Sequence, residues 1–594
     1  MPPEILGSIV ERTDGIPLFV EELTKSLLEG GLLREEDVAY VLDGPLPSRA
    51  IPPSLEALLL ARLDRLSRVK DVAQIGAAIG REFSYELLAA VARFGEAELR
   101  KALGELTAAG LVFCRGALPR ASYIFKHVLV QDVAYGTLLR DQRQELHARI
   151  AQALEEYQEI STRQHAALLA GHWLKAENSE KALHYTIEAA KQAAKLGAGP
   201  EAISHYWQAL DLLERLPPTP ERNRAHADTI FAMSQWPSWQ RGEASTAQML
   251  RHVDRALAHA TEAGQLATIA RLEGFKGHFV KDEFLIKSAI AHAQASGDSP
   301  AQAATSYSYG MYLGGRARYA ESLEHIKRAI EIMGDQGELY QQAQMMLIGG
   351  RCFSARAGNL ADSFAYATRA RQLAEELDNA QLRARSAMEA EPYMYKGAWD
   401  EVIRLAEEWL PVAREMREWF VVLWSSAWLA IAYLKLKRPT EARRILDRVF
   451  AEVPLRGLGV AAYAIPYGHI AVAQLHLQTN HPDLALDATR KAITSSQENR
   501  APLEEGAAHR VLGQVCGAMG ARNDADTAFR RSLEILEKIQ SPPELAQSLL
   551  EYGRFLQGDN ALEDRRLIER ALNLFQAMDA TGWIEEARVA LNQN

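Results

Sequence analysis

The sequence predicts a mostly α-helical protein in which a short winged-helix domain is followed by a long α-solenoid of repeated helical hairpins. Three observations support this fold class. Apolar residues recur at i, i+3, i+4 and i+7 in almost every segment, which places them on one face of a helix. Strand-like alternation is scarce. From about residue 180 onward, a small–apolar–small pattern returns about every 40 positions, and a fixed period of this kind is typical of a solenoid.

The repeated pattern places a small residue four positions before an apolar residue and another small residue three positions after it. Two antiparallel helices cannot bury their apolar faces alone, whereas stacked hairpins bury them together. The clearest copies are Ala202, Tyr206 and Ala209; Ser322, Ile326 and Ala329; Ser363, Ala367 and Ala370; and Ala525, Phe529 and Ser532. A turn residue recurs before the second helix, at Gly358, Gly397, Pro439, Pro482 and Gly520.

The hairpins resemble tetratricopeptide repeats over roughly residues 160–594. The best copy has Leu512 and Gly513, Cys516 where an aromatic residue is usual, and then Ala525 and Phe529. The observed period exceeds the usual length of about 34 residues. We therefore expect an irregular superhelix, and we assign residues 141–594 to the array.

The segment before the array follows a different pattern. Four helices are expected at 54–66, 69–80, 84–92 and 96–110, followed by strands at Leu111–Arg115 and Ser122–Lys126 and by a helix from about Val130 to Leu139. Helices followed by a two-stranded hairpin make a winged helix, which we assign to residues 54–140.

A winged helix could bind DNA through its recognition helix, here 96–110. That helix offers only Arg100 and Lys101 against Glu96, Glu98 and Glu105, which is too weak a basic face for phosphate contacts. The net charge of −10 also argues against nucleic acid as the main partner. We expect the domain to be a structural joint.

Two short motifs flank the predicted winged helix, about 110 residues apart. They are Gly15-Ile16-Pro17 and Lys126-His127-Val128. Together with the stretch from Ile51-Pro52-Pro53 to Arg65-Leu66, they resemble the large bacterial regulators that join a STAND-type ATPase to tetratricopeptide repeats. Many members of that family also carry a class III adenylate cyclase domain. The resemblance covers essentially this whole chain, but only the C-terminal part of those regulators.

The resemblance implies a role for one residue in each motif. Pro17 corresponds to the lid proline that packs on adenine, and His127 to the histidine that reaches the β-phosphate of ADP. The family's Met-His-Asp triplet is Lys126-His127-Val128 here, so the aspartate is missing. On this resemblance, residues 1–30 are the end of the ATPase lid and residues 31–53 are a linker.

The phosphate loop of such an ATPase is not present in this sequence. The pattern Gly-x-x-x-x-Gly-Lys-Ser/Thr, whose backbone N–H groups and lysine hold a triphosphate, occurs nowhere, and no Gly-Lys dipeptide occurs at all. We therefore expect a chain that begins inside the lid. It should have no catalytic site and no cofactor of its own, and should bind ATP or ADP only if the missing nucleotide-binding half is supplied.

No other motif in the sequence points to catalysis or metal binding. His-Glu-x-x-His, Gly-x-Ser-x-Gly and Cys-x-x-Cys do not occur, and the dinucleotide-like Gly457-x-Gly459-x-x-Ala462 follows a predicted repeat helix instead of a strand. The cysteines at 114, 352 and 516 have no redox or metal spacing. They suggest three reduced thiols in a cytoplasmic protein.

Two uncharged stretches could be considered as membrane spans. Trp419–Leu434 is shorter than the roughly 20 residues that a span needs, and Gly457–Asn480 contains a proline and two histidines. Buried repeat helices explain both better. The tryptophans at 236, 239, 409, 419, 424 and 428 fit either a ligand groove or the repeat core, and we favour the core because aromatic residues dominate core burial.

The sequence thus predicts a non-catalytic, signal-sensing and protein-interaction part of a STAND-type regulator. The array would bind a protein or peptide partner, or a small-molecule inducer. Nucleic acid and membrane are not expected as partners. Two alternatives remain, a free-standing tetratricopeptide adaptor and a regulatory subunit of a split cyclase or ATPase.

Overall fold

A computed structural model describes residues 13, 16–29, 33–36, 39–42, 54–66, 68–156, 162–196, 198–234, 243–335, 339–453, 464–557 and 562–592. The chain divides into two compact units, Met1–Ala189 and Ala190–Asn594. The first unit therefore includes residues after 141, where the sequence places the start of the repeats.

The first unit begins with helix α1 (Pro17–Glu29) and an antiparallel pair of strands, β1 (Leu33–Glu36) and β2 (Ala39–Leu42). These strands lie in the segment 31–53 that the sequence assigns to a linker. Four helices follow, interrupted by one strand. They are α2 (Leu55–Arg65), α3 (Arg68–Ile79), α4 (Tyr85–Val91) and α5 (Glu96–Ala108).

A three-stranded antiparallel sheet packs with these helices. Its strands are β3 (Glu82–Ser84), β4 (Val112–Arg115) and β5 (Ser122–Phe125), with β5 in the centre. The last two were expected from the sequence, whereas β3 has only three residues and is too short to show a strand-like alternation.

Phe83 on β3 fills the space between the sheet and α3. Its ring lies 5.8 Å from that of Tyr123 and 5.6 Å from that of Phe125, measured between centroids. A Cβ atom on Gly76 of α3 would come within 2.7 Å of the Phe83 ring. The glycine is therefore what allows the ring to pack against the helix.

Four further helices follow along the chain. They are α6 (Val128–Gly136), α7 (Arg140–Glu156), α8 (Thr162–Lys175) and α9 (Ser179–Lys195). The second unit continues with α10 (Gly199–Arg215), α11 (Pro220–Ser234), α12 (Glu243–Glu262), α13 (Leu266–Val280), α14 (Glu283–Ser296), α15 (Ser299–Gly315) and α16 (Tyr319–Asp335).

The remaining helices form the C-terminal hairpins. They are α17 (Leu339–Gln344), α18 (Arg351–Arg356), α19 (Leu360–Glu376), α20 (Ala380–Arg385), α21 (Ala390–Lys396), α22 (Trp399–Glu415), α23 (Trp419–Lys435), α24 (Pro439–Glu452), α25 (Ile465–Gln478), α26 (Pro482–Glu498), α27 (Pro502–Ala518), α28 (Arg522–Lys538), α29 (Pro542–Leu556), α30 (Glu563–Ala577) and α31 (Thr581–Asn592).

The long period of the repeat has a simple structural origin. Helices α26, α27 and α28 each have 17 residues, and they are joined by three-residue turns. Two such helices and two such turns account for the period of about 40 residues seen in the sequence. Most of these turns contain a residue with positive φ, which ends one helix and reverses the chain. The predicted turn glycines at 358, 397 and 520 are of this kind.

The two helices of a hairpin have different environments. The first helices of successive hairpins, such as α23, α25, α27 and α29, pack against one another. On α23 most residues are buried, whereas on its partner α24 only Ala442, Leu446 and Val449 are. First helices therefore form the inner layer of the array, and second helices form the outer layer.

Two of the first helices depart from regular α geometry. A π-helical segment, Met345–Gly350, joins α17 to α18, and a 3₁₀ segment, Ser386–Glu389, joins α20 to α21. Segments of this kind often occur at functional sites or hinges. Among the described residues, no helix is long and apolar enough to cross a membrane.

Candidate functional site

The two residues that the resemblance singles out occupy different environments. Pro17 is exposed and begins α1. His127 is half-buried at the N-cap of α6, two residues after β5, and its side chain makes no capping hydrogen bond. Its Nε2 atom is buried and has no hydrogen-bond partner. Gly15 and residues 51–53 of the motifs lie outside the described residues, as do Trp236, Trp239 and residues 457–462.

Side chains join α1 to the residue before His127. Lys126 donates a hydrogen bond from Nζ to Glu21 Oε1 over 2.6 Å, and Lys25 donates to the same oxygen over 2.9 Å. The hydrogen bonds from Lys126 and Lys25 lower the pKa of Glu21 to about 2. Glu21 lies four residues after Pro17, which is about one turn of α1. The residue before His127 is therefore tied to the helix that Pro17 begins.

A buried ion pair lies beneath this surface contact. Glu22 on α1 accepts a hydrogen bond from Arg62 on α2, and both side chains are almost fully buried. Arg62 also donates from Nη2 to the carbonyl oxygen of Ala109 over 2.6 Å. Removing one partner of such a pair would leave an uncompensated buried charge. The sequence does not indicate that these two residues pair, because they are 40 positions apart.

A second polar cluster lies on the inner layer of the second unit. We call Arg351, Arg356, Glu391 and Glu504 the ionic hub. The Glu391 carboxylate lies 2.8 Å from Arg351 Nη1 and 3.1 Å from Arg356 Nε. Arg356 Nη1 lies 3.5 Å from Glu504 Oε1. Arg351 and Glu391 are fully buried, and Glu504 is 3% exposed. The hub joins α18, α21 and α27, three first helices that are far apart in sequence.

The charges of the hub depend on one another. Burial disfavours ionisation of Glu391, but Arg356 and Arg351 outweigh it and lower the pKa of that carboxyl. Glu504 has only the longer contact with Arg356, and burial raises its pKa. Arg351 directly follows the π-helical segment, and Glu391 lies two residues after the 3₁₀ segment.

Aromatic side chains form one wall of the ionic hub. The guanidinium of Arg356 lies 5.0 Å from the ring centre of Trp424. The ring of Tyr467 lies 5.3 Å from Trp424 and 4.8 Å from Trp428, and Tyr395 lies 5.9 Å from Trp428. Both tryptophans are buried, as the core interpretation expects. They also belong to the inner layer, which the sequence pattern could not distinguish from the rest of the core.

Further charged and polar groups continue along the inner layer. Gln381 and Arg385 contact Glu418 Oε1 at 2.9 and 3.4 Å. Arg510 Nη1 contacts Glu544 Oε2 at 2.6 Å, and the hydroxyl of Tyr467 donates to Glu544 Oε1 over 3.1 Å. Buried charge is costly unless it is paired, and the charged groups named here are paired within the inner layer.

Some donors on the inner layer have no acceptor. Arg351 Nη2 and the indole Nε1 atoms of Trp424 and Trp428 are buried without a hydrogen-bond partner. Such donors could bind a carboxylate or a backbone carbonyl. Among the residues that the structure describes, no group of three or more acidic, histidine or cysteine side chains is arranged to hold a metal ion.

Comparisons with known proteins give limited similarity. No protein-family model matches the chain. Over 233 residues, or 39% of its length, the chain is 28% identical to an uncharacterized protein of Rhizobium meliloti (strain 1021). This region spans 22% of that relative.

Several solved structures can be aligned with the chain. A Rap protein complexed with competence and sporulation factor aligns with a TM-score of 0.36 and 11% identity over 63% of this chain and 99% of its own. A STAND protein with a tetratricopeptide repeat sensor from Pyrococcus horikoshii aligns with a TM-score of 0.26 and 13% identity over 99% of this chain and 72% of that protein. Yeast Tom70 aligns with a TM-score of 0.30 and 14% identity over 76% of this chain and 94% of Tom70.

Proposed function

We propose that this chain is a non-catalytic scaffold whose inner layer binds a protein or peptide partner. The observation that carries the proposal is the ionic hub with its aromatic wall. A purely structural stack of helices would be expected to bury apolar side chains at this position, since buried ion pairs contribute little net stability. Here the first helices instead present Arg, Glu, Trp and Tyr side chains, some with unpaired donors.

The chemistry of the inner layer favours a peptide over an apolar ligand. Arginine recognises carboxylates with two parallel hydrogen bonds, and indole N–H groups can donate to backbone carbonyls. Carboxylates such as Glu504 and Glu544 could pair with cationic side chains of the partner. A small-molecule inducer with a carboxylate would use the same donors and is a narrower case of this chemistry.

For the first unit, we propose a coupling role. Helices α2–α5 with the β4–β5 hairpin would act as a winged-helix joint that passes partner binding on to a nucleotide-binding half. The ties between α1 and the bundle, Glu21 with Lys126 and Glu22 with Arg62, support a firm connection. The unpaired Nε2 of His127 fits a phosphate oxygen. Pro17 and His127 would hold adenine and phosphate only together with that other half.

Binding to the inner layer can be tested with a selected peptide and a photo-crosslinking amino acid. Peptides would be selected from a displayed random library against the full chain. Benzoylphenylalanine would then replace either Trp428 on inner helix α23 or Arg443, which is exposed on outer helix α24. We expect crosslinks to the selected peptide from position 428 and none from position 443. Crosslinking from position 443 alone would place the partner on the outer layer and contradict the proposal.

A further inference from the structure

The last hairpins of the chain fold back onto earlier turns of the array. Gly582, at the start of α31, lies against Gly397, the residue with positive φ that ends α21. A Cβ atom on Gly582 would lie only 2.2 Å from the carbonyl oxygen of Gly397, and one on Gly397 would lie 2.8 Å from the backbone nitrogen of Trp583. The two backbones are therefore in direct contact, with no space for a side chain between them.

Side chains reinforce this contact on both flanks. The indole of Trp583 donates to the carbonyl oxygen of Met394 over 3.0 Å, across 189 positions. Lys435 contacts Glu586 at 3.1 Å, and its ammonium lies 4.0 Å from the ring centre of Trp583. We call the six residues Met394, Gly397, Lys435, Gly582, Trp583 and Glu586 the latch.

A further contact connects the last hairpins to the ionic hub. Ser541, just before α29, donates from Oγ to the carbonyl oxygen of Arg356 over 2.9 Å. The guanidinium of the same arginine contacts Glu391 and Glu504 in the hub. One residue therefore takes part both in holding the last hairpins against the array and in burying the charges of the inner layer.

The closed arrangement leaves the inner layer inaccessible at the hub. Arg351 and Glu391 are fully buried, so no partner can reach them without movement of the helices around them. The structure also contains places where such movement could occur. The π-helical segment Met345–Gly350 and the 3₁₀ segment Ser386–Glu389 interrupt the α-helical hydrogen-bond pattern one and two residues before Arg351 and Glu391, respectively.

We infer that the latch closes the array over its own hub, and that a partner reaches the inner layer only after the latch has parted. This inference rests on the proposed function for the identity of the partner, but the closure can be tested without one. If a ligand binds only the open form, its apparent affinity is the affinity of the open form multiplied by the fraction of molecules that are open. Weakening the latch should therefore increase the affinity for any ligand of the inner layer.

A cysteine at the hub provides a direct probe of opening. Cys352 is buried on α18 with its Sγ 4.0 Å from Glu391 Oε1, and burial raises the pKa of its thiol to about 12. Cys516 is buried on α27, a helix that carries none of the latch residues, and Cys114 is exposed on β4. Replacement of Cys114 by serine would leave two buried thiols, one at the hub and one that reports on general loosening.

The latch can be weakened by a single methyl group. Gly582→Ala places a Cβ where the Gly397 carbonyl lies, whereas Gly315→Ala, at the end of α15, adds a Cβ with nothing within 4 Å and serves as control. In the Cys114→Ser background, thiol modification would be followed at each cysteine by mass spectrometry. We expect Gly582→Ala to accelerate modification of Cys352 at least tenfold, with no change at Cys516, and Gly315→Ala to change neither.

Two results would overturn the latch. One is an unchanged rate at Cys352 in Gly582→Ala and also in Lys435→Met, which removes the ion pair with Glu586. The other is an equal acceleration at Cys352 and Cys516, which would indicate general destabilisation. The crosslinking pattern of a selected peptide separates the two proposals. Faster Cys352 modification with peptide crosslinks confined to the outer layer would support the latch and reject the proposed partner site. Inner-layer crosslinks with unchanged Cys352 modification would reject the latch and support the proposed partner site.

Discussion

Glu21 and Lys126 are separated by 105 positions in the sequence, and their side chains meet in a hydrogen bond of 2.6 Å. They bring α1, which Pro17 begins, against the end of β5, where His127 follows. The contact is exposed, so it contributes at most about 1 kcal/mol of stability. Its importance lies in position, because it joins the helix that Pro17 begins to the residue before His127.

Nucleotide binding tests how far that resemblance extends. We expect this chain to bind neither ADP nor ATP at millimolar concentration, because its sequence has no phosphate loop to hold the triphosphate. Calorimetric titration of the purified chain would measure this, with thermal stabilisation as a second readout. Binding tighter than about 10 μM, roughly −7 kcal/mol, that is lost in His127→Ala would contradict the expectation.

The buried pair between Glu22 and Arg62 should matter more for stability than the exposed pair above it. Arg62→Met would leave the carboxylate of Glu22 buried without its cation, and a loss of about 3–5 kcal/mol is typical of such a change. Lys126→Ala, which breaks only the exposed pair, should cost less than about 1 kcal/mol. Urea unfolding of both variants would provide the comparison. Equal losses in the free energy of unfolding would show that the burial of an ion pair does not determine its contribution to stability.

Glu389 should make the protein less stable as pH rises. Burial raises the pKa of this carboxyl to about 7, its Oε1 has no partner, and Arg371 contacts Oε2 only at 3.3 Å. Because the folded state holds the proton more tightly than the unfolded state, the associated stability is present at low pH and is lost as pH rises from about 4.5 to about 7.

Glu389→Gln should remove this dependence because an amide does not titrate. Relative to the native protein, the variant should be more stable at pH 8 by up to roughly 3 kcal/mol and little changed at pH 4.5. Unfolding by urea at both pH values would measure the difference. A benefit at pH 4.5 that is as large as at pH 8 would show that charge at Glu389 is not the cause.

Glycine at position 513 is required for packing between the helices of one hairpin. A Cβ atom there would lie 2.7 Å from the ring of Phe529, which is 1% exposed. Gly513→Ala should therefore destabilise the protein by about 1–3 kcal/mol, as overpacking usually does, despite the better helix propensity of alanine.

The same change at Gly315, where a Cβ meets nothing, should be neutral or stabilising by up to about 1 kcal/mol. Thermal unfolding of the two variants would compare them. A neutral Gly513→Ala would mean that the Phe529 ring can move aside.

Local features of this fold could be predicted from the sequence because their causes are local. Helical periodicity, the turn glycines and the small residues at helix crossings all act within about 20 positions, and the corresponding helices and turns are observed. The helices at 55–65, 68–79, 85–91 and 96–108 lie within two residues of their predicted bounds. Strand β3 was not predicted, since three residues carry no detectable alternation and its pairing with β5 is a distant contact.

What the sequence by itself determined is therefore a chain of helical hairpins, with charged and aromatic residues whose positions on each helix can be read from their spacing. The tertiary structure alone decided which of these residues meet. The stacking of successive hairpins brings Trp583 to Met394 and Arg356 to Glu504. Contacts between hairpins that are far apart in sequence leave no mark in the local pattern, so the ionic hub and the latch exist only once the whole array has folded.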